Sequence, residues 1–69
     1  MKPSAKIIYD ALLRGETLTP IQSLTRYGIH ALSQRIGEIK KETGENIISK
    51  RMPGYFFHIY YIGGHNGNL

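Results

Sequence analysis

Cysteine is missing from the chain, which excludes disulfide frameworks, thiolate zinc sites and thiol catalysis together and makes a reducing, cytoplasmic setting the expectation. Long apolar runs are missing too. The longest span two to four residues, far short of the roughly 20 that cross a bilayer, and no apolar block near the N-terminus reads as a signal peptide. A soluble protein without a membrane partner is expected. With 69 residues there is length for one small domain, which buries only about 60% of the surface its unfolded chain exposes and has little room for a deep, dry pocket. A self-contained enzyme is therefore not expected. Acidic residues are also scarce: nine Lys and Arg face five Asp and Glu, for a net charge of +4 and a pI near 9.6. That balance points to an anionic partner, while 41% hydrophobic and 20% charged residues describe a globular rather than a disordered chain.

The signatures of catalysis are equally sparse. His30, His58 and His65 fall on three different elements without metal-ligand spacing. No paired carboxylates sit beside an apolar pocket, no Gly-rich loop joins strand to helix, and no Ser-His-Asp arrangement is suggested. Neither enzymatic activity nor a cofactor or metal is expected.

What the chain does contain is a succession of short, well-punctuated elements. Ala5, Ile8, Ala11 and Leu12 recur at helical spacing over residues 5–14, with Ser4 placed to cap the start and Gly15 to close the end. Thr19 and Gln22 have capping-box spacing, and Pro20 falls where a first helical residue needs no N–H, so a second helix starts at Pro20. Ile21 and Leu24 supply its only clear apolar stripe, and Tyr27-Gly28 ends it. Leu32, Ile36, Ile39 and Thr43 then recur at spacings of four, three and four, which predicts a third helix over His30 to Thr43 ended by Gly44. Turning Leu32, Ile36 and Ile39 inward turns His30, Gln34, Gly37 and Lys41 outward, with Ser33 and Arg35 on the flanks.

From Asn46 the residues become β-rich, and Met52-Pro53-Gly54-Tyr55 carries the Pro-Gly centre of a type II turn. A hairpin with a wide loop follows, with Lys50, Arg51 and Tyr55 near its tip. Along Tyr55 to Ile62 both alternating faces carry aromatic and apolar groups. Simple alternation turns Phe57, Ile59 and Tyr61 inward and His58 outward; the opposite parity buries Tyr60 and Ile62, and a bulge would reconcile them. Either arrangement leaves aromatic surface exposed, as for a homodimer contact or a partner-binding edge. Leu18 is placed to add a short third strand. Residues 63–69, with three glycines, read as a flexible tail to a domain of residues 1–62.

A short helix, a tight turn, a longer helix with a polar outer face and a following hairpin make an α+β, three-helix winged helix-turn-helix with a C-terminal β-hairpin. A helix fits the major groove, and a basic hairpin reaches flanking phosphates or the minor groove. On that plan His30, Ser33 and Gln34 are candidates for base edges, Gln34 for an adenine. Arg26, Arg35, Lys40, Lys41, Lys50 and Arg51 are candidates for phosphates. Gly37 is a candidate for close backbone approach. Glu38, Glu42 and Glu45 dilute the positive field, and placement near the helix dipole explains Lys40 and Lys41 almost as well as DNA does.

The run from Leu18-Thr19-Pro20-Ile21-Gln22 through Arg26-Tyr27-Gly28-Ile29-His30 to Leu32-Ser33-Gln34-Arg35-Ile36-Gly37-Glu38-Ile39-Lys40-Lys41 resembles a family of short helix-turn-helix proteins of bacteriophages and prophages. The likeness continues through Ile47-x-Ser49 and Tyr60-x-Ile62 and covers roughly residues 5–62. It implies that the helix matching His30 to Lys41 reads DNA, that basic hairpin residues contact the backbone, and that Tyr60 and Ile62 face inward. A small transcriptional regulator or excisionase-like architectural protein in a bacterial host cell, acting on double-stranded DNA as a homodimer or in tandem, is the leading expectation. Its rival is a phage-encoded inhibitor or adaptor that turns the aromatic strand to a host protein; RNA binding ranks third, because a two-stranded hairpin is narrow for base stacking.

Overall fold

A computed structural model describes residues 1–51 and 53–63. Three helices are followed by an antiparallel hairpin: α1 (Pro3–Leu13), α2 (Pro20–Tyr27), α3 (Leu32–Thr43), β1 (Ile47–Arg51) and β2 (His58–Ile62). The fold is α+β, with winged helix-like architecture. The expected tail lies outside the described residues apart from Gly63, as does His65.

Local chemistry accounts for most element ends. At α2 the Thr19 hydroxyl accepts from the Gln22 amide at 3.2 Å while the Gln22 side chain accepts from the Thr19 amide at 3.1 Å, the reciprocal box its spacing predicts. Gly28 then takes φ 68°, and its amide donates to the Leu24 carbonyl, a left-handed closure that costs other residues about 1 kcal/mol or more. The first helix differs from expectation. It starts at Pro3, with Lys2 in the capping position and no side-chain cap; Ser4 lies within it, and its hydroxyl faces Arg35 Nη1 at 3.4 Å. Proline at the first helical position, where no amide partner is required, sets the start instead.

The third helix is two residues shorter than its periodicity suggests. Ala31 adopts φ 57° and ψ 53°, so the α-helical path cannot run through it, and His30 belongs to the turn before α3. Thr43, fourth in the apolar spacing, is exposed. Its hydroxyl donates to the Ile39 carbonyl at 2.7 Å and accepts from the Glu45 amide at 3.1 Å, closing the end of the helix beside Gly44.

The core joins Ala5, Ile8, Ala11 and Leu12 of α1 to Leu32, Ile36 and Ile39 of α3, with Leu18, Ile29, Ile47, Tyr60 and Ile62 completing it. Its composition corrects the reading of α2. Ile21 is 65% and Leu24 39% exposed, whereas Ser23 is fully buried. The Ser23 hydroxyl donates to the Ile29 carbonyl at 2.9 Å, and the Ile29 amide donates to the Ser23 carbonyl at 3.1 Å. These two bonds fold the turn back onto α2. Thr19, Ser23 and Tyr27, at spacings of four, form its inward side; a small residue lets α2 approach the turn, and hydrogen bonding satisfies its buried hydroxyl.

The hairpin register runs without interruption from Ile47 opposite Ile62 to Arg51 opposite His58. Tyr60 and Ile62 are buried and Ile59 and Tyr61 half-buried, so simple alternation is overturned in favour of the parity of the Tyr60-x-Ile62 ending, and no bulge is needed. Leu18 selects it. Its amide donates to the Tyr60 carbonyl at 2.9 Å and its carbonyl accepts from the Tyr60 amide at 2.8 Å, a single-residue bridge that docks Tyr60 against the helices in place of the expected third strand, the sheet itself having two strands. Burial fades along both strands toward residues 52–57, so the loop end of the hairpin projects away from the core. Gly54 has φ 82°, the conformation a type II turn demands of its third residue.

Candidate nucleic-acid interface

At 100° per residue, Ser33, Gln34, Gly37, Lys40 and Lys41 occupy an arc of about 120° on α3 opposite Leu32, Ile36 and Ile39. All five are exposed, as are His30 and Ala31 in the preceding turn. An ideal Cβ at Gly37 would have nothing within 4 Å; among the described residues no other helix takes up the space that residue leaves open.

The other flank of α3 faces α1 and holds the acids. Arg35 Nη2 lies 2.9 Å from Glu38 Oε2, which also lies 3.9 Å from Lys2 Nζ. Glu42 is 3.2 Å from the Met1 amino group. Arg35 is half-buried and reaches across to Ser4, so it joins the two helices and stands apart from the other candidate phosphate contacts. Glu45 accepts from the Tyr9 hydroxyl at 3.0 Å.

Arg26 is also engaged internally. Glu16, on the segment between α1 and α2, accepts from the Tyr27 hydroxyl at 2.6 Å and from Arg14 Nη2 at 3.0 Å, and lies 3.6 Å from Arg26 Nη1. The Tyr27 hydrogen bond, then Arg14, holds the Glu16 carboxyl below its ordinary 4.5, and the same bond to Glu16 raises the Tyr27 phenol above its ordinary 10.0. A carboxylate favoured by folding stabilises the protein above its unfolded-state value, and that contribution is lost as pH falls through the folded one. We therefore expect stability, read as the urea midpoint, to decline below about pH 4.5, with a shallower decline in Glu16→Gln.

The acid pairing decides where the surplus charge lies. Among the described residues every carboxylate side chain has a cation or a phenol within reach: Asp10 has Lys6 at 3.2 Å, and Glu16, Glu38, Glu42 and Glu45 have the partners above. Lys2, Lys6, Arg14, Arg26 and Arg35 are the side-chain cations so engaged. Lys40, Lys41, Lys50 and Arg51 form no salt bridge among the described residues, and all four are exposed. They lie in the last turn of α3 and on β1. Arg51 Nε donates to the Tyr55 carbonyl at 3.4 Å, which orients it along the loop.

That loop carries the molecule's most exposed aromatic groups: Phe56 is 98% exposed, Tyr55 53% and Phe57 36%, with the Tyr55 and Phe57 rings 5.1 Å apart. An open concavity of about 350 Å³ is bounded by Arg51, Pro53, Gly54, Tyr55 and Phe56.

Sequence reasoning placed His30, Gln34, Gly37 and Lys41 outward on the helix, Ser33 on its flank, and Lys50 and Arg51 on the hairpin; the structure keeps Gln34, Gly37, Lys41, Lys50 and Arg51 there, brings Ser33 onto the open face and moves His30 into the preceding turn. It sets Arg35 and Arg26 apart in internal networks. Ser23 was missed, although a small polar residue four positions from both the capping Thr19 and Tyr27 was the available signal. No helix among the described residues is long and apolar enough to cross a membrane. Compared with protein families, with curated proteins and with solved structures, the chain matches none of them.

Proposed function

We propose that the protein binds double-stranded DNA, with α3 in the major groove and the hairpin over the adjacent backbone, as a small phage-type regulator or excisionase-like architectural protein. One observation carries this reading: the cations left over after pairing among the described residues, Lys40, Lys41, Lys50 and Arg51, are exposed and lie on two elements, Lys40 and Lys41 on the same open face of α3 as Ser33 and Gln34, and Lys50 and Arg51 on the hairpin. Charge at the end of a groove-sized helix and on a projecting hairpin suits two stretches of phosphate, and Ser33 and Gln34, in the first turn of α3 on the same open face as Lys40 and Lys41, suit base edges. The helix and ribbon need no cofactor or catalytic group for this work. A single module of this size gains useful specificity by dimerising or by binding in tandem. The rival reading, a host-protein adaptor, rests on the exposed Phe56; the placement of the four cations favours DNA.

Titration of a mixed-sequence duplex at 50 and 200 mM salt tests the reading: binding that weakens steeply with salt supports it, and no binding at 50 mM, or binding indifferent to salt, overturns it. Selection from randomised DNA, repeated with Gln34→Ala and Arg51→Ala, separates the roles. Loss of base preference in the first and a uniform drop across sequences in the second are expected.

Gly37 offers a sharper contrast. Replacing an exposed mid-helix glycine whose Cβ meets nothing with alanine stabilises the fold by about 0.5–1 kcal/mol. Gly37→Ala should therefore raise the urea midpoint while weakening duplex binding, because the added methyl group stands between the helix backbone and the groove floor. Equal or tighter binding would remove Gly37 from the interface.

A further inference from the structure

We infer that the loop of the hairpin is a wedge, with Phe56 entering a base step of the bound duplex from the minor groove and bending the DNA. This inference rests on the DNA-binding reading and goes beyond it by naming what the projecting loop does to its partner. Phe56 is 98% exposed on a loop whose supporting strands lose their burial toward that end. An aromatic ring held in water on a small domain has no role in the core, and contact with a partner removes it from solvent. Tyr55 and Phe57, paired at 5.1 Å, stand on either side of it in sequence, and the Gly54 turn at φ 82° precedes it.

The charge around the ring selects nucleic acid over an apolar protein surface. Residues 46–63 contain no Asp or Glu, and Lys50 and Arg51, which form no salt bridge among the described residues, lead directly into the loop. The Arg51 guanidinium is held along it through the Tyr55 carbonyl. An apolar side chain at the tip of a two-stranded ribbon whose first strand ends in two cations suits a bent minor groove: Lys50 and Arg51 hold phosphates beside the point of entry while the ring takes the place of base stacking at one step. Flexible pyrimidine–purine steps open most easily, so TA steps are the favoured point of entry. The resulting bend brings more of the duplex toward α3, which fits an architectural role.

The test uses a 26-base-pair duplex with a central TA step, 2-aminopurine at that adenine and a donor–acceptor dye pair on its ends. With the intact protein, 2-aminopurine fluorescence should rise at least about twofold on binding as the base unstacks, and end-to-end transfer should increase. Because Phe56 makes no core contact, Phe56→Ala should fold normally and keep its salt dependence. It should lose both optical changes and bind about tenfold more weakly or less. Phe56→Leu, which retains an apolar wedge, should restore them in part. Salt-dependent binding with no unstacking in the intact protein, or unstacking unchanged in Phe56→Ala, overturns the wedge and leaves the DNA reading standing. Failure of the intact protein to bind the duplex overturns both. Loss of self-association in Phe56→Ala, with no effect on the duplex signals, would assign the ring to a second copy of this chain and likewise overturn the wedge.

Discussion

A variant carrying Lys40→Gln, Lys41→Gln, Lys50→Gln and Arg51→Gln should fold like the parent and lose most of its affinity for duplex DNA. Each cation that displaces a phosphate counterion contributes about 0.9 to the logarithmic salt slope, so removing four lowers that slope by three to four units, roughly. Between 50 and 200 mM salt the parent should then lose roughly a hundredfold more affinity than the variant does. Folding should change little, because none of the four takes part in a salt bridge among the described residues and all are exposed. The two lysines in the last turn of α3 also favour the helix dipole, which sets the expected loss of stability at about 1 kcal/mol or less. As a contrast, Lys6→Gln and Arg14→Gln remove cations that are already paired with Asp10 and Glu16, and the salt slope should barely move. Fluorescence anisotropy across a salt series distinguishes the two outcomes.

Leu18→Ala should cost about 2–5 kcal/mol. A core of this size supplies only about 3–5 kcal/mol in total, so the variant should be largely unfolded at 25 °C by far-UV circular dichroism. Leu18 is fully buried, and its backbone holds Tyr60 through two hydrogen bonds; shrinking its side chain opens a cavity where the hairpin meets the helices. Ile21→Ala removes as much aliphatic surface from a side chain that is 65% exposed and should change stability by about 0.5 kcal/mol or less. A large loss at Ile21 with a small one at Leu18 would mean that α2 is rotated from the orientation described.

The contrast between those two residues shows where the sequence was legible. Helix ends written in adjacent residues, such as the Thr19–Gln22 box with Pro20 and the glycines at 15, 28 and 44, could be read directly, because their chemistry is completed within one turn. The inward side of α2 could not. Two aliphatic residues outweigh one serine on any hydropathy scale, whereas packing was decided by the small size of Ser23 and its bond to Ile29, six residues away. The strand read over Tyr55 to Ile62 was ambiguous because both faces are apolar, and a partner 42 positions earlier, Leu18 against Tyr60, settles its parity.

The candidate site divides in the same way. The outward arc of α3 follows from helical periodicity alone, so Gln34, Gly37 and Lys41 stand where it put them, and Ser33, read as a flank residue, joins them. Arg35 and Arg26 look equally basic in sequence, but Ser4, Glu38 and Glu16 engage them through contacts the chain order hides. The same contacts change the meaning of the acids. Glu38 and Glu42, which dilute the field when counted along the sequence, lie on the α1 flank of α3, where Arg35, Lys2 and the Met1 amino group pair with them.

The most direct test of the central claim is a titration of ¹⁵N-labelled protein with a mixed-sequence duplex at 50 mM salt, followed amide by amide. The account predicts the largest shift changes at Ser33, Gln34, Gly37, Lys40 and Lys41 and along Lys50 and Arg51, all reversed by adding salt. Changes concentrated on Ile7 and Asp10 of α1 or on Ile21 and Leu24 of α2, or no change at all, would contradict it.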